Sequence, residues 1–260
     1  MRQEDMKIVA QRQLAPDIFE MTITGEMVHE ITEPGQFLNI LIPQKDLVLR
    51  RPLGISSVDK GASSCQFIYR VSGAGTKVLA SLATGDTLDV LGPLGQGFKL
   101  DGLTAANRVF IIGGGIGVPP LYELSRQLVN LGIEPQHFFG FTSKAVKYYE
   151  NEFAALGEVK IATDDGSYGF KGNVGQLVAL EPDSPTAVFA CGNEGLLRAV
   201  ETQFLGKVPN VQLSLEARMA CGIGTCYACV CHLSDDPTGV KSVKICDDGP
   251  VFQAGQVVLP

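Results

Sequence analysis

Four cysteines carry the most specific chemistry in the chain: Cys221, Cys226 and Cys229 in a C-x₄-C-x₂-C run, and Cys246 standing apart from them. Four thiolates are what one [2Fe-2S] cluster takes, and three bunched ligands followed by a remote fourth is a known cluster spacing. Gly222 and Gly224 lie inside the run, where residues without a Cβ let the backbone bend tightly and turn N–H groups toward sulfur. Two other chemistries use the same residue types. A zinc staple also takes four cysteines, although structural zinc sites usually pair two short knuckles. Disulfides are the third reading. Met1 to Lys7 has no apolar segment behind its charges such as a secretory signal carries, so a reducing cytoplasm is expected, where clustered cysteines bind metal more often than each other. Cys231, two residues past Cys229, reads as a spare, buried hydrophobe.

A second group of residues suits anionic and aromatic ligands. Gly113-Gly-Gly-Ile-Gly-Val-Pro-Pro120 follows the apolar run Arg108 to Ile112 and precedes a helical pattern of Leu121, Leu124, Leu128 and Leu131. Strand, glycine loop and helix N-terminus make a phosphate-binding unit. The loop departs from G-x-G-x-x-G because position 118 is valine, yet Gly113, Gly115 and Gly117 are expected to clear space for a pyrophosphate, with Pro119 suited to the first helical turn. A glycine turn that only packs strand on helix is the alternative. Upstream, Arg50-Arg51-Pro52-Leu53-Gly54 pairs two guanidiniums before a rigid turn, a bidentate arrangement for a diphosphate, and Ile68-Tyr69-Arg70 with Gly73 to Thr76 adds a cation, an aromatic ring and a second helix start. Together these read as a flavin dinucleotide cradle; a solvated turn is the bland alternative. Cys191-Gly192 sits at a strand end, where a thiol would lie against a nicotinamide ring or be a structural core residue. Asp164 and Asp165 disfavour a 2′-phosphate and lean the site to NAD, while Lys144 and Lys147 pull toward NADP. His29, His137 and His232 are scattered, and neither G-x-S-x-G nor H-E-x-x-H occurs. Cofactor-to-cofactor electron transfer needs positioning more than a side-chain base, so that absence fits.

The elements that must position these residues fall into three blocks. The chain has 260 residues, 45% of them apolar, enough for two or three cores, and a net charge of −7 that argues against a nucleic-acid surface. No apolar run approaches the roughly 20 residues of a membrane helix. Residues 1–102 show six short β-rich runs (7–14, 18–24, 37–42, 54–58, 66–71, 87–91) and one helix over 75–82, which predicts a small antiparallel barrel. Residues 103–210 alternate strands (108–112, 136–141, 159–163, 186–191) with helices (149–156, 174–180, 193–204), which predicts a parallel sheet covered on both faces. Residues 211–260 hold the cysteines. So short a segment buries little apolar surface alone, so its order is expected to come largely from metal ligation.

With these motifs in this order, the sequence resembles the ferredoxin-NADP reductase superfamily, and within it the iron-sulfur electron-transfer subunits of NAD-dependent type B dihydroorotate dehydrogenases; Glu216 to Cys229 is the most specific segment. The resemblance spans essentially the whole chain and implies a multidomain fold of FAD barrel, NAD-binding α/β unit and small [2Fe-2S] domain. It implies FAD contacts at Arg51, Pro52, Leu53, Gly54, Ile68, Tyr69, Arg70, Gly75 and Thr76, nucleotide contacts at Gly113, Gly115, Gly117 and Cys191, and cluster ligation by Cys221, Cys226, Cys229 and Cys246. An FMN-bearing partner that oxidises dihydroorotate is implied too, with two copies of each chain and electrons passing through the cluster and FAD to NAD⁺. A small subunit of a ferredoxin-NAD(P) oxidoreductase or sulfide dehydrogenase, or a zinc-stapled binding module, stays open. One departure stands out. The superfamily often has serine where this chain has Gly54, so Ser56, Ser57 or a backbone N–H would have to serve flavin N5 instead.

Overall fold

The computed structural model describes residues 1–259. Its first unit is a closed six-stranded barrel in the order β1-β2-β5-β4-β3-β6: β1 Arg2–Ala15, β2 Ile18–Thr24, β3 Phe37–Ile40, β4 Arg51–Asp59, β5 Ser64–Arg70 and β6 Thr87–Leu94. The helix α1, Ala74–Ser81, lies between β5 and β6. Alternation along the strands fills the interior with Met6, Ile8, Met21, Ile23, Leu38, Ile40, Phe67 and Val90, all within 1% of full burial. Each such side chain contributes about 1.5–3 kcal/mol. The first strand starts at Arg2, ahead of the expected Lys7, because Arg2 to Lys7 pair with Thr87 to Gly92 and close the barrel. Closure is a long-range event with no local signature.

The second unit is a seven-stranded sheet, β10-β9-β8-β7-β11-β12-β15. It is built from β7 Val109–Gly114, β8 Gln136–Phe141, β9 Val159–Thr163, β10 Phe170–Lys171, β11 Ala187–Cys191 and β12 Asn210–Ser214, all parallel, with α2 Pro120–Asn130, α3 Glu150–Ala154, α4 Val174–Val178 and α5 Glu194–Phe204 between them. Strand order reverses between β7 and β11, which opens a crevice at their carboxyl ends. Leu121, Leu124 and Leu128 are buried under α2, but Leu131 is 44% exposed, because the helix has ended and Leu131 only caps it.

The cysteine segment adds the small hairpin β13 Val230–His232 and β14 Ser242–Lys244, and then β15 Val251–Gln253, which joins the sheet antiparallel to β12. This changes the account of what orders the segment. Cys229, Cys231, Ile245, Cys246, Phe252, Val257 and Leu259 are buried in the same apolar cluster as Phe110, Val188 and Leu213 of the sheet and Phe37 and Leu94 of the barrel. The segment is thus held by a shared core; its length alone underestimates the surface it buries.

Barrel and sheet are stapled together beside the crevice. Glu123 of α2 accepts from the Val58 amide of β4 at 3.1 Å and from Arg126 at 2.8 Å, and Arg126 also donates to the Val58 carbonyl. On the far side, Tyr149 donates its hydroxyl to the buried carboxylate of Glu20, which Arg12 also meets at 2.6 Å.

Candidate functional site

The barrel-side motifs converge on a cavity of about 330 Å³ walled by β4, β5, α1 and the end of β12. Arg51, Pro52, Leu53, Gly54, Ile68, Tyr69, Arg70 and Thr76 all line it. Gly75 stands just behind, where an added Cβ would lie 2.6 Å from Arg51 Nε. The two arginines part company. Arg50 binds Asp89 at 2.9 Å and the Asn39 carbonyl at 3.2 Å, bracing the barrel, and only Arg51 reaches the cavity. Arg50 lies just before β4, whose first residue is Arg51. Thr76 Oγ1 accepts from the Ser72 and Gly73 amides at 3.0 and 3.2 Å, so its hydroxyl shapes the loop that opens α1. Tyr69 is buried, with its hydroxyl donating to Gln11 at 3.0 Å.

Gly54 has a structural reason. A Cβ there would come within 2.8 Å of Pro120 Cγ at the start of α2, which is packed against β4. Neither serine offered in its place lines the cavity. Ser56 is fully buried with an unpartnered hydroxyl, and Ser57 accepts from Arg126 at 3.2 Å.

A second cavity of about 520 Å³ opens at the crevice between β7 and β11, lined by Gly114, Gly115, Gly117, Gly192, Asn193 and Asp164 among others. Gly115 adopts φ +52, and a Cβ on Gly117 would sit 2.4 Å from the Cys191 carbonyl, so glycine lets the loop cross the end of β11. Gly113 lines neither cavity; its Cα faces Leu121, Phe139 and Val118, each 3.0 Å from an added Cβ. Asp164 faces the cavity, whereas Asp165 accepts from the Ser167 amide at 2.9 Å. The ammonium groups of Lys144 and Lys147 lie 5.8 and 4.5 Å from the Tyr168 ring centre, and Lys147 also pairs with Glu150.

Three residues, Arg70, Ile116 and Glu216, line both cavities. This is where a flavin ring and a nicotinamide ring would meet. Cys191, at the end of β11, lines the first cavity; burial pushes its thiol up to about 12, with Glu216 adding to the effect, so it is a neutral contact at neutral pH. Desolvation also raises the Glu216 carboxyl, and Arg70 opposes the rise. Glu216 and Ile116 carry no spacing or residue-type signal of their own. Only the position of Glu216 just beyond a strand end could have marked it.

The four cysteines gather in one region: Cys226 bears on Cys221, and both Cys229 and Cys221 bear on Cys246. Among the described residues, no three His, Cys, Asp or Glu side chains converge on a single ion position. Four cysteine sulfurs in one region match the four thiolates that one [2Fe-2S] cluster takes. The loop amides face sulfur: Ile223 and Cys226 donate to Cys221 Sγ at 3.5 and 3.4 Å, and Gly224 donates to Cys246 Sγ at 3.2 Å. Burial pushes the Cys221 thiol up, but hydrogen bonds from Thr225 and these amides outweigh it and bring it down to about 6. Gly222 and Gly224 have φ +74 and +76, and a Cβ on Gly224 would meet Asp247 at 2.4 Å, so the bend that aims the amides needs glycine at both. Cys231 is buried on β13, and desolvation pushes its thiol up to about 11. The donor set therefore fits a binuclear cluster.

A barrel with an anion-ready wall, a parallel sheet with a glycine crevice, and a thiolate loop packed on both define a reductase of the ferredoxin-reductase fold with an appended iron-sulfur segment. Residues 216–258 match the family described as the iron-sulfur cluster binding domain of dihydroorotate dehydrogenase B. The chain is 54% identical to the dihydroorotate dehydrogenase B (NAD⁺) electron transfer subunit of Enterococcus faecalis, with 99% of each chain covered, and 48% identical to that of Geobacillus thermodenitrificans, with 98% of each covered. Among solved structures it resembles an NADH-dependent reduced ferredoxin-NADP oxidoreductase, with TM-score 0.86, 26% identity, and 98% of this chain and 90% of the other covered. The chain belongs to the family of dihydroorotate dehydrogenase B (NAD⁺) electron transfer subunits. No helix among the described residues is long and apolar enough to cross a membrane.

Proposed function

We propose that this chain transfers electrons from a dihydroorotate-oxidising, FMN-bearing catalytic subunit to NAD⁺ in pyrimidine biosynthesis, using a [2Fe-2S] cluster and FAD. When bound, the cluster handles single electrons, the flavin pairs them and the nicotinamide accepts a hydride. The observation that carries the reading is the wall shared by the two cavities at Arg70, Ile116 and Glu216, which would bring a ring held in one beside a ring held in the other.

Arg51, Pro52, Leu53, Gly54, Ile68, Tyr69, Arg70, Gly75 and Thr76 hold FAD, Arg51 and the amides at the start of α1 meeting its diphosphate. Gly115 and Gly117 admit the NAD pyrophosphate to the start of α2, and Gly113 supports them by letting that helix pack close. Cys191 contacts the nicotinamide side, and Glu216 with Arg70 positions the ring pair. Cys221, Cys226, Cys229 and Cys246 ligate the cluster. Asp164 favours a ribose hydroxyl over a 2′-phosphate, and Lys147 is already engaged by Glu150. Residues 1–102, 103–210 and 211–260 serve FAD, NAD and cluster respectively, the last also lending β15 to the sheet of the second. A cytoplasmic setting suits thiols that must stay reduced for ligation, and the assembly we propose has two copies of each chain. Tyr227, 74% exposed beside Cys226, marks the face turned to the partner.

The test is to purify the chain with its native partner and supply dihydroorotate and NAD⁺. Flavin and iron-sulfur absorbance with NADH formation that requires both chains is expected. A purified complex lacking either cofactor, or one unable to reduce NAD⁺ with dihydroorotate, would overturn the reading.

A further inference from the structure

The strand β3 separates two environments. Leu38 and Ile40 point into the barrel, while Phe37 and Asn39 point outward, where Phe37 joins the core that supports the cysteine segment. Asn39 is fully buried on that outer face. Its Nδ2 donates to the Cys221 carbonyl at 3.3 Å, and its Oδ1 has no partner. A buried amide satisfied on one side only is costly, and an apolar side chain of similar size would avoid that cost, so the donor half needs an explanation. The neighbouring glycine is keyed to it, since a Cβ on Gly222 would lie 2.3 Å from Asn39 Nδ2. On its other side, Asn39 is the β3 partner of Pro52, which walls the barrel-side cavity. One residue thus stands one strand from that cavity and one hydrogen bond from the ligand loop.

We infer that Asn39 is a positioning residue that locks the Cys221 loop to the flavin-bearing strands and so sets the reduction potential of the cluster. This rests on the cluster reading given above. A peptide unit is planar, with C=O and N–H directed oppositely. Holding the Cys221 carbonyl toward the barrel therefore fixes the entry to the turn whose Ile223, Gly224 and Cys226 amides face the sulfurs of Cys221 and Cys246. Such donors stabilise negative charge on sulfur, most of all after reduction, and a loosened turn makes the cluster harder to reduce.

The experiment uses the full chain with its partner, carrying Asn39→Leu or, where leucine overfills the site, Asn39→Ala. Flavin and iron per chain are measured, together with the cluster midpoint potential by redox titration followed by EPR. The expected result is unchanged flavin content, a midpoint shifted to more negative potential, and an altered EPR line shape. Potentials and spectra identical to the unsubstituted protein in both variants overturn the inference. So does joint loss of flavin and cluster in both, because Asn39 would then serve the barrel. An unsubstituted complex with no [2Fe-2S] signal brings down the cluster reading itself, a result distinct from either.

Discussion

The crevice and the cysteine loop do related jobs by opposite means. At the crevice, the shape comes from strand ends: Gly114, Cys191 and Glu216 lie where β7, β11 and β12 deliver them, and glycines serve mainly to let backbones cross, as Gly117 does over Cys191. In the cysteine loop the ligand candidates lie on no strand, although β3 reaches the loop through Asn39 and β13 and β14 flank it. Two left-handed glycines and a set of amides turned toward sulfur shape it, above an apolar base. The contrast follows from the ligands. A flat dinucleotide needs a long rigid slot, whereas a compact anionic cluster needs several N–H donors converging on a small volume.

The comparison breaks most visibly at the thiols. Cys226→Ser is expected to remove the cluster almost completely, while Cys231→Ser, on the buried side of β13, leaves iron content intact; equal loss in iron assays of the two variants would overturn the ligand assignment. Next in size is Gly117→Ala. With the Cys191 carbonyl 2.4 Å from the new methyl, the loop must move, and a displacement near 1 Å at a reacting site costs about 100-fold. The readout is kcat/KM for NADH with a flavin-linked dye, with iron content staying at its normal value because the crevice and the loop are built separately.

Glu216→Gln probes the shared wall. A fall of about tenfold in hydride transfer between NADH and flavin is expected, equal to about 1.4 kcal/mol in the barrier, with flavin and iron both retained. Stopped-flow flavin reduction measures it, and a rate equal to that of the unsubstituted protein would remove Glu216 from the site. The unsubstituted protein should also show a pH dependence of this rate that the variant lacks, since the raised carboxyl titrates nearer to neutrality than an ordinary glutamate.

The smallest effect lies away from both regions. His137 is buried between Ser125, at 2.7 Å, and the Glu158 carbonyl, at 3.0 Å, and burial pushes its pKa down to about 4. The unfolded chain holds more protons than the folded one between that value and the ordinary 6.5, so the contribution is full above about 6.5 and is lost as pH falls toward 4. The slope is at most about 1.4 kcal/mol per pH unit. Urea unfolding at pH 7 and pH 5 for His137→Gln against the unsubstituted chain checks this; the variant should lose less stability on acidification.

Much of the proposed site is legible in the sequence, and the reasons are local. The cysteines at 221, 226 and 229 that we assign to the cluster lie close together in the chain, so their spacing alone suggests a shared site. The glycines at 115, 117, 222 and 224 follow from backbone positions that a Cβ would spoil. Arg50 and Arg51 could not be separated, because where β4 begins and which of two neighbouring arginines faces a cavity depend on barrel closure. Leu131 looked like part of a helical stripe because periodicity runs past the residue where the helix stops.

By itself, then, the sequence determined the chemistry available: four thiolates, a glycine loop after an apolar strand, a guanidinium beside a proline turn, and the order of barrel, sheet and cysteine segment. The tertiary structure alone decided where these meet. It placed Arg70, Ile116 and Glu216 on one shared wall, brought Asn39 of the barrel to the Cys221 carbonyl, and drew β15 and the base of the cysteine loop into the core of the sheet. Each of these contacts joins residues distant in the chain. They form only when the barrel closes and strand order is settled, and that outcome reflects burial of all the apolar faces together and has no trace in any local spacing.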